Sequence, residues 1–140
     1  MIRLTRVYRF CASHRLHSRQ LPDEENAQLY GKCNNPYGHG HNYVLEVTAE
    51  GPVDASTGRV CDIATLDALV HQYVVRGLDH CNLNEQAPEF ADVVPTSENL
   101  ALVIDRRLRR EWKTAFAGEW PRLSGVRLRE TKKNIFEHRS

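Results

Sequence analysis

From His41 to Glu50 the chain alternates without a break: His41, Tyr43, Leu45, Val47 and Ala49 fall on one face, and Asn42, Val44, Glu46, Thr48 and Glu50 on the other. A two-residue period of this kind suits a strand with one buried face. Residues 2–13 alternate in the same way and carry Tyr8 and Phe10. Residues 15–38 are polar, with turn signals at Asn35-Pro36 and Tyr37-Gly38, and read as a long loop. Gly51-Pro52 ends the second strand, and the turn Ala55-Ser56-Thr57-Gly58 follows. The period then changes. Ile63, Leu66, Leu69, Val70 and Tyr73 fit a helix opened by Asp62 as N-cap and closed by Gly77. A second helix starts at Pro95-Thr96-Ser97-Glu98-Asn99, with Thr96 or Ser97 capping and Leu100, Val103, Ile104, Leu108 and Trp112 as its apolar stripe. Val126, Leu128 and Glu130 alternate with Arg127 and Arg129, and Ile135-Phe136-Glu137 returns as a hairpin after the turn 131–134. The order ββααββ predicts an α+β fold: an antiparallel four-stranded sheet with two helices on one face. Such a sheet has exposed edges, which pairing with another copy would cover.

The chain has the size of one domain, 1–140. Nineteen Lys and Arg against 18 Asp and Glu give a formal charge of +1, so bulk charge makes no case for nucleic acid or a membrane surface. No apolar run approaches the roughly 18–20 residues that span a bilayer, and the first residues lack the apolar core of a secretory signal. Cys11, Cys33, Cys61 and Cys81 are scattered singly, without a C-x-x-C pair. That argues against a zinc ribbon or redox dithiol and for reduced thiols in a cytoplasmic enzyme.

The chemistry concentrates in a few places. His39 and His41, at i and i+2 on a strand, point the same way. A third imidazole, His14 at the end of the first strand, would complete a three-histidine site. Three neutral nitrogens suit Zn²⁺ and leave its fourth position open for water or substrate, as a catalytic rather than a structural metal requires. Cys33 lies six residues before His39 on the loop. Asp79-His80 follows the first helix; the carboxylate could orient the imidazole, and His80 beside Cys33 would favour thiolate. The bland alternative is that the pair simply ends a helix, where a cationic imidazole meets the dipole favourably. Glu130, in Arg129-Glu130-Thr131, could accept two N–H groups from a guanidine-like edge.

Together, Phe10-x-Ala12-x-His14, Cys33-x₅-His39-Gly40-His41, Leu78-Asp79-His80-x-Asn82-Leu83, Pro95-Thr96-x-Glu98-Asn99 and Glu130-Thr131-x-x-Asn134 resemble the 6-pyruvoyltetrahydropterin synthase family, in matching order from about residue 3 to 138. The resemblance implies a tunnelling fold in which three subunits join strands into a twelve-stranded barrel and two trimers stack into a homohexamer. It implies a small-molecule substrate, 7,8-dihydroneopterin triphosphate, converted to 6-pyruvoyltetrahydropterin with loss of inorganic triphosphate. His14, His39 and His41 would hold Zn²⁺, and Cys33 would be the base. Asp79 and His80 would form a second acid–base unit lent by a neighbouring subunit. Glu130 would anchor the pterin, helped by Thr96 and Glu98. The sister 6-carboxytetrahydropterin synthases of deazapurine biosynthesis typically have three residues, not five, between the cysteine and the His-Gly-His pair, so the spacing favours the pyruvoyl product. A zinc- and pterin-binding module without turnover is the reading from another class. For the triphosphate, Arg15, Arg19, Lys32, Lys132 and Lys133 are unranked candidates.

Overall fold

The computed structural model describes all 140 residues. Strand β1 (Ile2–His14) and strand β2 (His39–Gly51) pair antiparallel over their full length, from Ile2 opposite Gly51 to His14 opposite His39. The excursion between them is not a bare loop. It contains helix α1 (Asp23–Tyr30) and a 3₁₀ turn, Gly31–Asn34, which carries Cys33. Helix α2 (Ile63–Val70) is capped as expected, Asp62 accepting from the amides of Ala64 and Thr65. It runs on through a wider π turn (His71–Val75) into the short helix α3 (Arg76–Leu78), so Gly77 lies within the last turn rather than beyond it.

Next come strand β3 (Cys81–Asn82), helix α4 (Leu83–Gln86) and a 3₁₀ turn, Pro88–Phe90. Helix α5 (Ser97–Ala115) follows, then strands β4 (Arg122–Arg129) and β5 (Ile135–Arg139). The sheet has five strands, not four, in the order β3-β1-β2-β4-β5. The extra strand is two residues long and pairs parallel with Ala12 and Ser13, so it makes the sheet mixed. Two residues carry no periodicity, and only tertiary pairing creates this strand.

One face of the sheet is apolar. Tyr8, Phe10, Tyr43, Leu45, Val47, Val126 and Leu128 pack against Leu66, Val70, Val74, Leu100, Ile104 and Leu108 of α2, its π turn and α5 in a single buried cluster. The other face is polar: the Thr5 and Thr48 hydroxyls meet at 2.7 Å, Cys11 Sγ donates to Asn42 Oδ1 at 2.8 Å, and Arg127 lies 3.8 Å from Glu46. No helix is long and apolar enough to cross a membrane.

Candidate metal centre and active site

The alternation of β2 continues past its apolar stripe, placing His39 and His41 on the buried side of the sheet in line with Tyr43. The β1–β2 register sets His14 directly opposite His39. Gly38, with φ 75°, makes this possible: a Cβ there would stand 3.1 Å from the His14 carbonyl oxygen, in a backbone conformation that side chains disfavour. The three rings form a nearly equilateral cluster with centroids 4.7, 4.8 and 5.1 Å apart, each almost perpendicular to the others.

The nitrogens of this cluster are poised for a cation. His14 is fully buried, and its Nδ1–H donates to the Pro95 carbonyl at 2.8 Å. A carbonyl can only accept, so the Nε2 lone pair faces the cluster. His14 Nε2 and His39 Nε2 are 3.3 Å apart. Zinc–nitrogen bonds of about 2.0–2.1 Å in tetrahedral geometry require about 3.3–3.4 Å between ligand nitrogens. His39 Nδ1 is buried without a hydrogen-bond partner, His41 Nε2 has only the off-line approach of a Glu130 oxygen at 3.2 Å, and one ligand atom from each histidine lies within 4.8 Å of the others. Burial, the first cause, lowers the pKa of His14 and His39 below the ordinary histidine value, which favours the neutral form that metal ligation requires. The three residues fit Zn²⁺.

Glu130 lies against the cluster, and Cys33 lies within reach of its charge. Glu130 follows β4, and its amide donates to the Asn134 carbonyl across the hairpin turn. Its Oε1 is 3.2 Å from His41 Nε2, and its Oε2 accepts from the Ser97 hydroxyl. The Cys33 thiol is half-buried; burial and then the Glu130 charge push it above its ordinary range. The Cys33 carbonyl accepts from the Leu16 amide at 2.8 Å, which holds the 3₁₀ turn against the end of β1.

The motif at 95–99 is the N-terminus of α5. Thr96 is its N-cap, accepting from the Asn99 amide at 3.2 Å, and Asn99 Nδ2 donates to the Val94 carbonyl. This local structure presents the Pro95 carbonyl to His14 and the buried Ser97 to Glu130. Glu98, one residue on, is exposed and borders a surface hollow that β5 also lines. Ser97 is thus the hydroxyl that touches the carboxylate. Tyr43, 1 % exposed, adds a buried hydroxyl that is pushed up by burial and by the Glu130 charge. Its position in the alternating stripe marked it only as core.

Asp79 and His80 sit elsewhere in the chain. Asp79 Oδ1 accepts from the Cys11 amide at 2.8 Å, standing in for a strand partner on the open edge of β1. His80 adopts φ 59°, donates its amide to the Cys11 carbonyl at 2.6 Å, and leaves its side chain 81 % exposed, 3.5 Å from Asp79. The charge acting on Cys33 within one chain is that of Glu130, not His80.

Against known proteins, the family model described as 6-pyruvoyl tetrahydropterin synthase matches residues 3–140. A 6-pyruvoyl tetrahydrobiopterin synthase from Poecilia reticulata is 46 % identical over 136 residues, covering 97 % of this chain and 88 % of that protein. The one from Homo sapiens is 44 % identical over 132 residues, covering 94 % and 87 %. Among solved structures, Caenorhabditis elegans 6-pyruvoyl tetrahydropterin synthase superposes with a TM-score of 0.90 at 40 % identity, covering 99 % of this chain and 95 % of that one. The architecture shared with the Caenorhabditis elegans structure, the identity to the two sequence relatives and a family match over all but the first two residues lead to one conclusion: the chain belongs to the 6-pyruvoyl tetrahydropterin synthase family.

Proposed function

We propose that the chain is a zinc-dependent lyase, a 6-pyruvoyltetrahydropterin synthase, that converts 7,8-dihydroneopterin triphosphate to 6-pyruvoyltetrahydropterin and inorganic triphosphate. The observation that carries this reading is the convergence of three imidazoles with a thiol and a carboxylate at the mouth of one sheet. Identity of 44–46 % across nearly the whole of this chain to proteins named as synthases of the pyruvoyl product supports it over the carboxy product.

His14, His39 and His41 would hold the metal. Bound there, zinc supplies Lewis-acid polarisation of the substrate's side-chain oxygens and a positive field that favours thiolate over thiol. Glu130 offers its carboxylate to the paired N–H donors of the pterin ring, with Ser97 fixing one of its oxygens. Thr96 contributes by capping the helix that sets Ser97 in place, and Glu98 faces outward, where only a neighbouring subunit could use it. With the pterin held at Glu130, Cys33 takes the proton from the side-chain carbon next to a hydroxyl; a positioned base contributes about 10²–10⁴-fold. The hydrogens are redistributed within the substrate as triphosphate leaves, so no external redox partner is needed.

Asp79 and His80 enter from a neighbour. The outer edge of β1 is unpaired below Ala12, and β5 leaves the opposite edge of the sheet open. Joining these edges between copies removes both liabilities and closes a ring. With the two-residue β3 left out of the ring, the four long strands of three copies would make the twelve-stranded barrel of a tunnelling fold, and two rings stacked would make the hexamer. His80, exposed at one such edge, is then available to the next protomer's site. Residues 1–140 form one domain of this kind, and its four unpaired thiols suit a cytoplasmic location.

The test is anaerobic turnover of zinc-loaded protein with 7,8-dihydroneopterin triphosphate, read by mass spectrometry. The expected products are 6-pyruvoyltetrahydropterin and triphosphate, lost in Cys33→Ala at unchanged zinc content. Acetaldehyde with the 6-carboxy product would move the chain to the sister activity. No product from metal-replete protein would reduce it to a binding module.

A further inference from the structure

Four side-chain nitrogen and oxygen atoms are buried without a hydrogen-bond partner. His39 Nδ1 and His41 Nε2 belong to the metal centre, and Arg127 Nε lies on the polar face of the sheet beside Glu46. The fourth is the hydroxyl of Tyr43, on a side chain only 1 % exposed. Taking a hydroxyl out of water without giving it a partner is unfavourable, and such groups are few in folded proteins.

The sheet fixes where this hydroxyl lies. Phe10 is the β1 partner of Tyr43, and the two rings stack with centroids 5.1 Å apart, which holds the phenol from one side. The His41 ring meets it edge-on at 5.7 Å. On the other side Val44 pairs with Arg129, so one step further along the same register sets Tyr43 beside Glu130. Ser97, Glu130 and Cys33 are the polar side chains that act on the phenol. Ser97 is itself buried and directs its single O–H to Glu130 Oε2, which leaves its own oxygen free to accept. A donor without an acceptor therefore sits next to an acceptor without a donor.

We propose that Tyr43 is a positioning residue for the Glu130 carboxylate: when a pterin engages Glu130, the phenol donates to Ser97 Oγ and completes a chain from Tyr43 O–H through Ser97 O–H to Glu130 Oε2. This role rests on the function proposed above. Glu130 must be aimed so that both its oxygens meet the two parallel N–H groups of the ring edge. Each bond in such a chain polarises the next, so a proton donated to Ser97 strengthens the hold of its own O–H on the carboxylate. The free protein carries the unpaired hydroxyl as a destabilising group, and binding relieves it.

Tyr43→Phe deletes the oxygen and keeps the stacked ring, so it separates this role from core packing. Thermal unfolding of the zinc-loaded, pterin-free full chain, with zinc retention checked by atomic emission, should give a Tm equal to or above wild type, because a group buried without a partner is gone. Calorimetric titration with 7,8-dihydroneopterin, which has no triphosphate to eliminate, should show binding weakened about five- to tenfold. KM for 7,8-dihydroneopterin triphosphate should rise by the same factor, a larger change than that in kcat. Ser97→Ala should also weaken 7,8-dihydroneopterin binding, and adding Tyr43→Phe to it should weaken binding no further, because the phenol acts through Ser97. A lower Tm for pterin-free Tyr43→Phe, wild-type affinity in that variant, or losses that multiply in the double variant each overturn the assignment. Wild-type affinity in Tyr43→Phe alongside normal turnover overturns the role of Tyr43 and leaves the proposed function standing. Tyr43-dependent pterin binding in a protein that turns nothing over refutes the function and keeps the positioning role.

Discussion

Asn26 is fully buried on α1, and its side-chain amide anchors the loop beside it. Oδ1 accepts from the Ser18 amide at 2.7 Å, and Nδ2 donates to the carbonyls of Ser18, Leu21 and Pro22 at 2.9, 3.1 and 3.2 Å. One acceptor and two N–H donors amount to about three full hydrogen bonds, each contributing about 1 kcal/mol net. Asn26→Ala removes them all. The freed backbone groups of 18–22 gain partial access to water as the loop relaxes, so the loss should settle at about 2–3 kcal/mol. For a domain this size that lowers Tm by roughly 8–12 °C. Asn26→Asp is the sharper probe: its carboxylate keeps the bond from Ser18 N–H but sets negative charge against three carbonyls, and should cost at least as much as Ala. The assay is urea unfolding at fixed protomer and zinc concentration, because an oligomer's stability depends on both. A loss below about 0.5 kcal/mol for Asn26→Ala, or an Asp variant more stable than the Ala one, would refute the reasoning.

Other outcomes follow from the same geometry. Asp62→Ala uncaps α2, stripping the partner from the Ala64 and Thr65 amides, and should cost about 1 kcal/mol in urea unfolding. In metal-free protein, His14 and His39 have folded pKa values below the unfolded 6.5, so the unfolded state binds more protons as pH falls. Stability should therefore be full above about pH 6.5 and decline as pH drops below it, seen as a falling Tm that His39→Gln flattens. Chelation should lower Tm without unfolding the chain at 25 °C, and refilling to 100 times the dissociation constant should restore about 2.7 kcal/mol.

How legible each element is in the sequence depends on how its burial is achieved. β2 and the His39/His41 pair can be read directly because a buried sheet face writes a two-residue period into the chain, and the same period decides which way imidazoles point. Helix α1 escapes because nothing apolar marks it: Asn26 is its one buried residue, held by amide hydrogen bonds that leave no stripe. β3 escapes because it exists only through its partner, β1. The Ser97–Glu130 contact spans 33 residues and depends on the helix cap turning one hydroxyl inward, whereas neighbouring Glu98 turns out. Asp79-His80 reads as a chemical pair; the two side chains stand 3.5 Å apart, on the edge of β1, with Asp79 bonded to the Cys11 amide.

The pairing of His14 with His39 has a consequence for the order in which the site is assembled. Residues 15–38 form a closed excursion whose two ends are these histidines, the last residue of β1 and the first of β2. Bringing the ends of such a segment together costs about 3 kcal/mol of chain entropy. The β1–β2 ladder, which runs the full length of both strands, meets that cost as it zips, before any ion arrives. The metal-free protein therefore already holds two ligands at the bonding spacing. A metal entering it acts as a rivet through a seam already drawn shut, stiffening the base from which the Cys33 segment projects rather than creating it.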